Sequence, residues 1–366
     1  MYLEEIELSH FKNIEAAFCS FSPKLNAVFG GNGMGKTNLL DAVHYLSIVR
    51  SHLATIDRMA VQKGFDEALL IGSFRTDRDE TDRIALKIRT QGAKQLSRNG
   101  RVYKRLSEHI GRFPSVVISP QDYRLIQGGS AERRRFVDRM LSQLDGNYLL
   151  TLSRYEQLLI QKSNLLRSDA PDSMLLDILD EQLTEAALFV RAGRKAFIRE
   201  FTPLFEKLYQ SIGNTEEQIG IEYTTQTADQ YEEYLAAMRA MRREELQCGF
   251  PLYGIQRDDI SMLLDTELIR KIGSQGQNKT YLTALKLAEY NLYAQKKGIY
   301  PLLLMDDLFD KLDEERVERI IALVSQPHYG QIFITDTNRK YLDAIIARYG
   351  TQYCLFKLDS GKVTAL

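Results

Sequence analysis

Residues 30–37 read Gly30, Gly31, Asn32, Gly33, Met34, Gly35, Lys36 and Thr37, a G-x-x-x-x-G-K-[ST] spacing that few backbones can satisfy. An apolar run, KLNAVF, precedes it, and Leu39, Leu40, Val43, Leu46 and Ile48 follow mostly on one helical stripe. The segment is therefore predicted as strand, glycine loop and helix. Glycines let consecutive backbone N–H groups turn inward around phosphate oxygens, and the helix presents its positive end to the same charge. In that arrangement Lys36 reaches the terminal phosphates, the Thr37 hydroxyl ligates magnesium, and Asn38 lies on the same turn.

A loop of this kind needs an acid from a neighbouring strand, and the sequence supplies one only at LLLMDD, residues 302–307. Leu302 to Met305 are apolar in succession, so this strand is expected to be buried on both faces and to deliver Asp306 and Asp307 at its carboxyl end. Asp306 is the candidate for the magnesium shell. Asp307 is the candidate that orients or deprotonates an attacking water.

In a simple GTPase or kinase the two elements are separated by one or a few strand–helix units. Here, short alternating runs over residues 2–30 feed the loop, and hairpins are predicted over 66–90 and around Asn99-Gly100. SVVISP at 115–120 closes that part. From about residue 130 the spacing turns helical through YQSI at 212, with a break at 168–173. Strand-like pieces return at IGIEY, FPLYGI and SMLLD, and a helix, a buried strand, a helix and two further strands complete the chain. Heptad order never holds for long, so a compact helical insert is expected rather than a coiled-coil arm. The expected division is 1–120 and 295–366 as the two parts of a nucleotide-binding lobe, with 121–294 as a mostly helical lobe.

At 366 residues, two or three cores are the prior. A net charge of -1 means that any grip on nucleic acid must come from a local surface. Cys19, Cys248 and Cys354 are widely spaced and without a CxxC pair, which argues against a disulfide framework or a zinc ribbon and suits a reducing cytoplasm. MYLEEIELSHFKN is acidic where a secretory signal is basic, and no run approaches membrane-spanning length, so no membrane partner is expected. The five histidines, His10, His44, His52, His109 and His328, show no metal-ligand spacing.

From Lys87 to Arg105 there are seven basic residues (Lys87, Arg89, Lys94, Arg98, Arg101, Lys104 and Arg105) and no acid. Arg98 and Arg101 flank the Asn99-Gly100 turn, so a hairpin would project them, with Lys104 and Arg105, toward a duplex backbone. Such contacts give affinity without sequence preference. Arg133 to Arg135, spaced around a helix, are expected to divide between solvent and a partner such as Asp138 or Asp258.

KIGSQGQNKT at 271–280 resembles the signature loop of ATP-binding-cassette and SMC-like ATPases. Along nearly its whole length the chain resembles the RecF family of bacterial recombination mediators, through FKNI at 11–14, GNGMGKTNLLDAV at 31–43, RSH at 50–52, SRNG at 97–100, GGSAERRRFVD at 128–138, GIQRDDI at 254–260, GSQGQNKT at 273–280 and LLLMDDLFDKLD at 302–313. The resemblance implies an α/β P-loop ATPase head of SMC/ABC type, with an antiparallel β subdomain and an inserted helical signature lobe. It implies ATP and Mg2+ as ligands. Ser274 and Gly276 would act in trans on a second subunit's triphosphate, their hydroxyl and N–H completing the clamp, and Asp313 would contact the opposite site. Gln121 would report on magnesium and water, and Lys12 and Asn13 would touch the nucleotide. It further implies an ATP-dependent homodimer on duplex or gapped DNA, slow hydrolysis that drives release, and the mediator proteins RecR and RecO as partners in loading a recombinase.

Departures from the family pattern are Gln256 where a histidine is common, Asp310 and Lys311 where serine and glutamate are usual, and Asp307 in place of glutamate. No switch histidine stands in QIFITDTN, where Asp336 and Thr337 occupy the region. That absence and the FKNI opening oppose a transporter ATPase; a structural SMC-like head would need a long arm.

Overall fold

A computed structural model describes residues 1–54, 56–213, 216–307, 312–337 and 339–366. Asp310 and Lys311 lie outside the described residues. The chain divides into two compact units. The first holds Met1–Asp122, Leu208–Asn214 and Ser274–Leu366; the second holds Tyr123–Lys207 and Thr215–Gly273.

Two sheets build the first unit. One orders Lys362–Ala365, Tyr353–Asp359, Leu25–Phe29, Ile332–Asp336, Leu302–Asp306 and Ser115–Ile118, with every pairing parallel except the first hairpin. The other is antiparallel, in the order Ile14–Ser20, Tyr2–Phe11, Glu67–Arg75, Thr81–Arg89, Gln95–Arg98 and Arg101–Val102. The expected LLLM strand is fully buried, because helices and sheets cover both faces of a parallel sheet.

Helix Lys36–Ile48 contacts strands of both sheets, so ten of its residues are buried, including His44 and Ser47. A single apolar stripe underestimates that burial: a helix held between two sheets is covered on more than one side. One continuous core results, joining Leu3, Ile6, Leu70 and Leu86 of the antiparallel sheet to Leu39, Val43 and Leu46 of the helix and to Val28, Leu302 and Phe333 of the parallel sheet.

The helical boundary expected at 294 falls at 273 instead. Helix Gln275–Lys297 belongs to the first unit, where it packs on strand Ser115–Ile118 and Tyr293 donates to the Gly111 carbonyl at 2.9 Å. Its buried face, from Asn278 to Tyr293, makes it a core element of the nucleotide-binding half.

The second unit combines helices Ser130–Leu144, Gly146–Leu166, Tyr231–Ala240 and Arg242–Cys248 and most of Ser173–Ile212 with a three-stranded antiparallel sheet. Its core gathers Tyr148, Tyr155, Leu183, Val190, Tyr234 and Met238. FPLYGI, expected as a strand, is a turn: Pro251 interrupts it, Gly254 takes φ 138°, and Ile255–Arg257 form a 3-10 turn. Of the arginine triplet, Arg133 is buried in a forked pair with Asp259 at 2.8 and 2.9 Å, whereas Arg135 is exposed. Asp138, expected as a partner of the triplet, instead holds Arg194 at 2.8 Å.

Candidate nucleotide site and nucleic-acid surface

Register places the chemistry. Pairing of Asp336 with Phe29, and of Asp306 with Thr335, brings the carboxyl ends of three adjacent parallel strands to one edge of the sheet. That edge is where open α/β sheets bind ligands. The glycine loop leaves Phe29 there. Gly31, Asn32 and Gly33 are exposed, Met34 is half-buried and bonded through its carbonyl to the Gly361 N–H at 3.0 Å, and Gly35 and Lys36 are buried. Gly35 takes φ 110°, and a Cβ on it would stand 2.8 Å from Asn13 Oδ1; glycine alone meets both conditions.

Lys36 Nζ donates to the carbonyls of Gly30 and Gly31 at 2.9 and 3.1 Å, so its charge is folded into the loop. Thr37 Oγ1 donates to Asp306 Oδ1 at 3.1 Å, across 269 residues of sequence. Thr335 Oγ1 donates to the same oxygen at 2.7 Å and accepts from the Asp307 N–H at 3.2 Å. Burial pushes the Asp306 carboxyl above its ordinary range and the adjacent Asp307 adds to the rise, while the Thr335 and Thr37 hydrogen bonds and the Lys36 ammonium oppose it. Relieving a buried carboxylate of this kind is what a divalent cation does. A hydroxyl and a carboxylate within 3.1 Å, beside a lysine and exposed backbone N–H groups, is a donor set that fits magnesium and a polyphosphate. Asp307, half-buried at φ 43°, follows directly.

Gln121 follows strand Ser115–Ile118, and its N–H donates to Ser119 Oγ at 3.2 Å. Ser119 lines one small cavity together with Thr37, Asp41, His52 and Asp306. Asn13 accepts from Asn38 Nδ2 at 2.7 Å and so packs on the loop. Lys12 pairs with Asp41 at 2.6 Å, with 11% of its side chain exposed. A buried carboxylate on the loop's own helix takes the ammonium, a contact that sequence distance concealed.

Ser274 is exposed and caps helix Gln275–Lys297: its Oγ accepts from the Gln277 N–H at 3.2 Å, while its own N–H donates to Gln277 Oε1 at 2.7 Å. The capping box thus occupies the N–H groups of Ser274 and Gln277, not that of Gly276, and the Ser274 hydroxyl retains its proton to donate. A Cβ at Gly276 would meet Arg316 Nη1 at 2.7 Å. Asp313 caps the following helix, Glu314–Val324, by accepting from the Arg316 N–H at 2.9 Å, and its other oxygen lies 3.4 Å from Arg316 Nη1. Ser274, Gly276 and Asp313 therefore form one surface, with Arg316 between them. Asp336, at the switch position, is buried, and Thr337 is exposed.

The model of the RecF/RecN/SMC N terminal domain matches residues 2–354. The DNA replication and repair protein RecF of Porphyromonas gingivalis is 47% identical over 365 residues, spanning 99% of this chain and 100% of its own. The chain belongs to the RecF family. RecF of Bacteroides thetaiotaomicron is 42% identical over 367 residues, spanning 100% and 99%. A solved structure of the recombination mediator protein RecF with ATP superposes with a TM-score of 0.88 at 27% identity, covering 100% of this chain and 99% of that one. An Smc head domain with an extended coiled coil, from Pyrococcus furiosus, matches at a TM-score of 0.57 and 16% identity, a likeness of fold alone.

Within this RecF fold, the basic segment is not uniformly free. Lys87 and Arg89 lie 2.8 and 3.9 Å from Glu67, Lys94 lies 3.0 Å from Asp57, and Arg98 makes a forked pair with Asp82 at 2.8 Å on both arms. The Arg98 fork braces the Asn99-Gly100 turn, whose Asn99 also donates to Asp82 at 2.9 Å, while 36% of the Arg98 side chain stays exposed. Arg101, Lys104 and Arg105 are exposed. Arg83, outside the segment, is exposed as well, with its N–H held by Asn99 Oδ1 at 2.8 Å. Sequence reading missed Arg83 because it sits among acids, and missed Thr335 because a lone strand-end threonine carries no signal. Among the described residues no group of three or more His, Cys, Asp or Glu side chains is placed to hold a metal ion, and no helix is long and apolar enough to cross a membrane.

Proposed function

We propose that this chain is an ATP-dependent DNA-binding protein of recombinational repair, in which ATP with Mg2+ joins two heads on duplex DNA near single-strand gaps. The observation that carries the reading is the convergence of Lys36, Thr37 and Asp306 at the edge of the parallel sheet, with Thr37 Oγ1 3.1 Å from Asp306 Oδ1. The likeness to the RecF–ATP structure supports the same ligand. Lys36 and the loop N–H groups bind the β- and γ-phosphates, and Thr37 and Asp306 would hold Mg2+, which when bound neutralises phosphate charge. Asp307 orients water, and Gln121 would report on the ion and that water. Ser274 offers its hydroxyl to the partner's triphosphate, with half-buried Gly276 and exposed Asp313 nearby. Asp307 is a shorter base than glutamate, so hydrolysis is slow and times release rather than making a product.

DNA is held by Arg101, Lys104, Arg105 and Arg83 through phosphate contacts. Partners, by membership of the family, are the mediators RecO and RecR. Sedimentation of the wild type, Lys36→Met and Ser274→Arg, with and without ATP and duplex DNA, tests the reading. Wild type dimerises with ATP and then binds duplex more tightly, Lys36→Met loses both, and Ser274→Arg binds ATP but stays monomeric. A wild type that stays monomeric at saturating ATP with DNA present removes the clamp.

A further inference from the structure

His52, in the RSH run at 50–52, is tied to both sides of the nucleotide edge. Its backbone N–H donates to Asp41 Oδ1 at 2.6 Å, and Ser51 Oγ donates to Asp41 Oδ2 at 2.6 Å. Asp41 is the buried carboxylate of the loop's helix that also holds Lys12. On the other side, the imidazole Nε2 lies 2.9 Å from Ser119 Oγ, which accepts from the Gln121 N–H at 3.2 Å. The ring meets His44 edge-on at 5.6 Å, and His44 Nδ1 lies 2.9 Å from Ser115 Oγ. Two imidazoles from the helix and its following loop thus reach Ser115, which opens strand Ser115–Ile118, and Ser119, which directly follows it. Asp41, His52 and Ser119 share a small cavity with Thr37 and Asp306.

We infer that His52 is a positioning residue for magnesium-dependent turnover: through Ser119, which shares a cavity with Thr37 and Asp306, it fixes the turn that carries Gln121. The inference rests on the ATP- and Mg2+-binding reading above. The physical basis is that Gln121 lies in the 3-10 turn Pro120–Asp122, which Ser119 holds together: its N–H donates to Asp122 Oδ2 at 2.7 Å, its carbonyl accepts from the Asp122 N–H at 3.1 Å, and its Oγ accepts from the Gln121 N–H. The hydrogen bond between Ser119 Oγ and His52, itself anchored on Asp41, ties that turn to the loop's helix. Lys12, Asp41, His52, Ser119 and Gln121 then form one chain of contacts from the FKNI opening to the magnesium side of the site.

The test uses the full chain and reads three quantities: binding of a fluorescent ATP analogue in EDTA, the Mg2+ concentration that half-saturates hydrolysis, and single-turnover rate. His52→Ala is expected to raise the Mg2+ half-saturation about tenfold, the effect of one lost part-buried hydrogen bond, while binding in EDTA and the melting temperature hold. His52→Gln, whose amide can reach Ser119, is expected to recover most of the loss. Ser119→Ala is expected to match His52→Ala, and the double variant to be no worse than either, because both remove the same contact. Should His52→Ala not fold, His52→Gln against Ser119→Ala carries the comparison. A Mg2+ requirement unchanged in His52→Ala and Ser119→Ala overturns the inference, as does an equal loss of binding in EDTA. A wild type that binds no nucleotide overturns the functional reading instead.

Discussion

The glycine loop at 30–37 and the basic segment at 87–105 belong to the same compact unit, and both announce themselves by residue type and spacing. Folding treats them differently. The loop's ligand groups are mostly backbone N–H, and its geometry is set by glycines and by the helix that starts at Lys36, so nothing elsewhere in the chain can cancel it. The segment's ligand groups are side-chain charges, and charges recruit partners. Glu67, Asp57 and Asp82 arrive from outside the segment and pair with Lys87, Lys94 and Arg98, while Arg89, 3.9 Å from Glu67, stays exposed, as do Arg101, Lys104 and Arg105 at the outer end. A basic run free of acids in sequence is therefore no measure of a basic surface; the strand next door decides it.

The comparison can be broken most directly at the loop. Lys36→Met should abolish ATP binding in equilibrium dialysis, a loss of at least roughly a hundredfold for a charge at the phosphates, without lowering the melting temperature. Retained ATP affinity would place the nucleotide elsewhere. Next in size, a triple reversal of Arg101, Lys104 and Arg105 to glutamate should weaken duplex binding roughly a hundredfold at low salt and reduce the salt slope by about 2 to 3. ATP affinity should not move, and an unchanged slope would relocate the DNA surface.

His109 joins the two regions, since its Nε2 donates to the carbonyl of Leu46 on the loop's helix at 2.8 Å and its Nδ1 lies 3.2 Å from the hydroxyl of Tyr103 in the segment. Burial lowers its pKa to about 4; Arg112 and Arg98 push the same way and the Leu46 bond opposes. A lowered folded value means that the unfolded chain binds the proton more readily. The contribution is thus fully present above the ordinary 6.5 and is lost as pH falls toward about 4, up to about 3 kcal/mol. Urea melts at pH 7 and pH 5 should show the loss, and His109→Gln should flatten it. A pH response that is the same in both chains assigns the loss to other groups.

The smallest effect sharpens the comparison. Arg98→Ala should lower stability by about 1–3 kcal/mol, because Asp82 is left buried without its guanidinium, and should leave the DNA salt slope where it was. A slope that falls by about 1 would return Arg98 to the DNA surface.

Much of this fold was legible from spacing. The strands before the loop, the hairpin at Asn99-Gly100 with both residues at positive φ, and the buried LLLM strand all follow from local patterns that survive in the structure. Local pattern failed at FPLYGI, where apolar content suggested a strand and Pro251 and Gly254 impose a turn. It failed also at residue 273, where a helix that reads as part of the helical lobe is drawn into the nucleotide-binding unit by its own buried face.

By itself the sequence determined the phosphate loop, its acid-bearing strand and the family, because each is written in contiguous residues whose backbone or motif order needs no partner to be recognised. Only the tertiary structure decided that Lys12 turns to Asp41, that Arg98 is spent on Asp82, and that His52 reaches Ser119. Those are pairings between side chains far apart in the chain, and a charge or a hydrogen-bonding group takes whichever partner folding brings within reach.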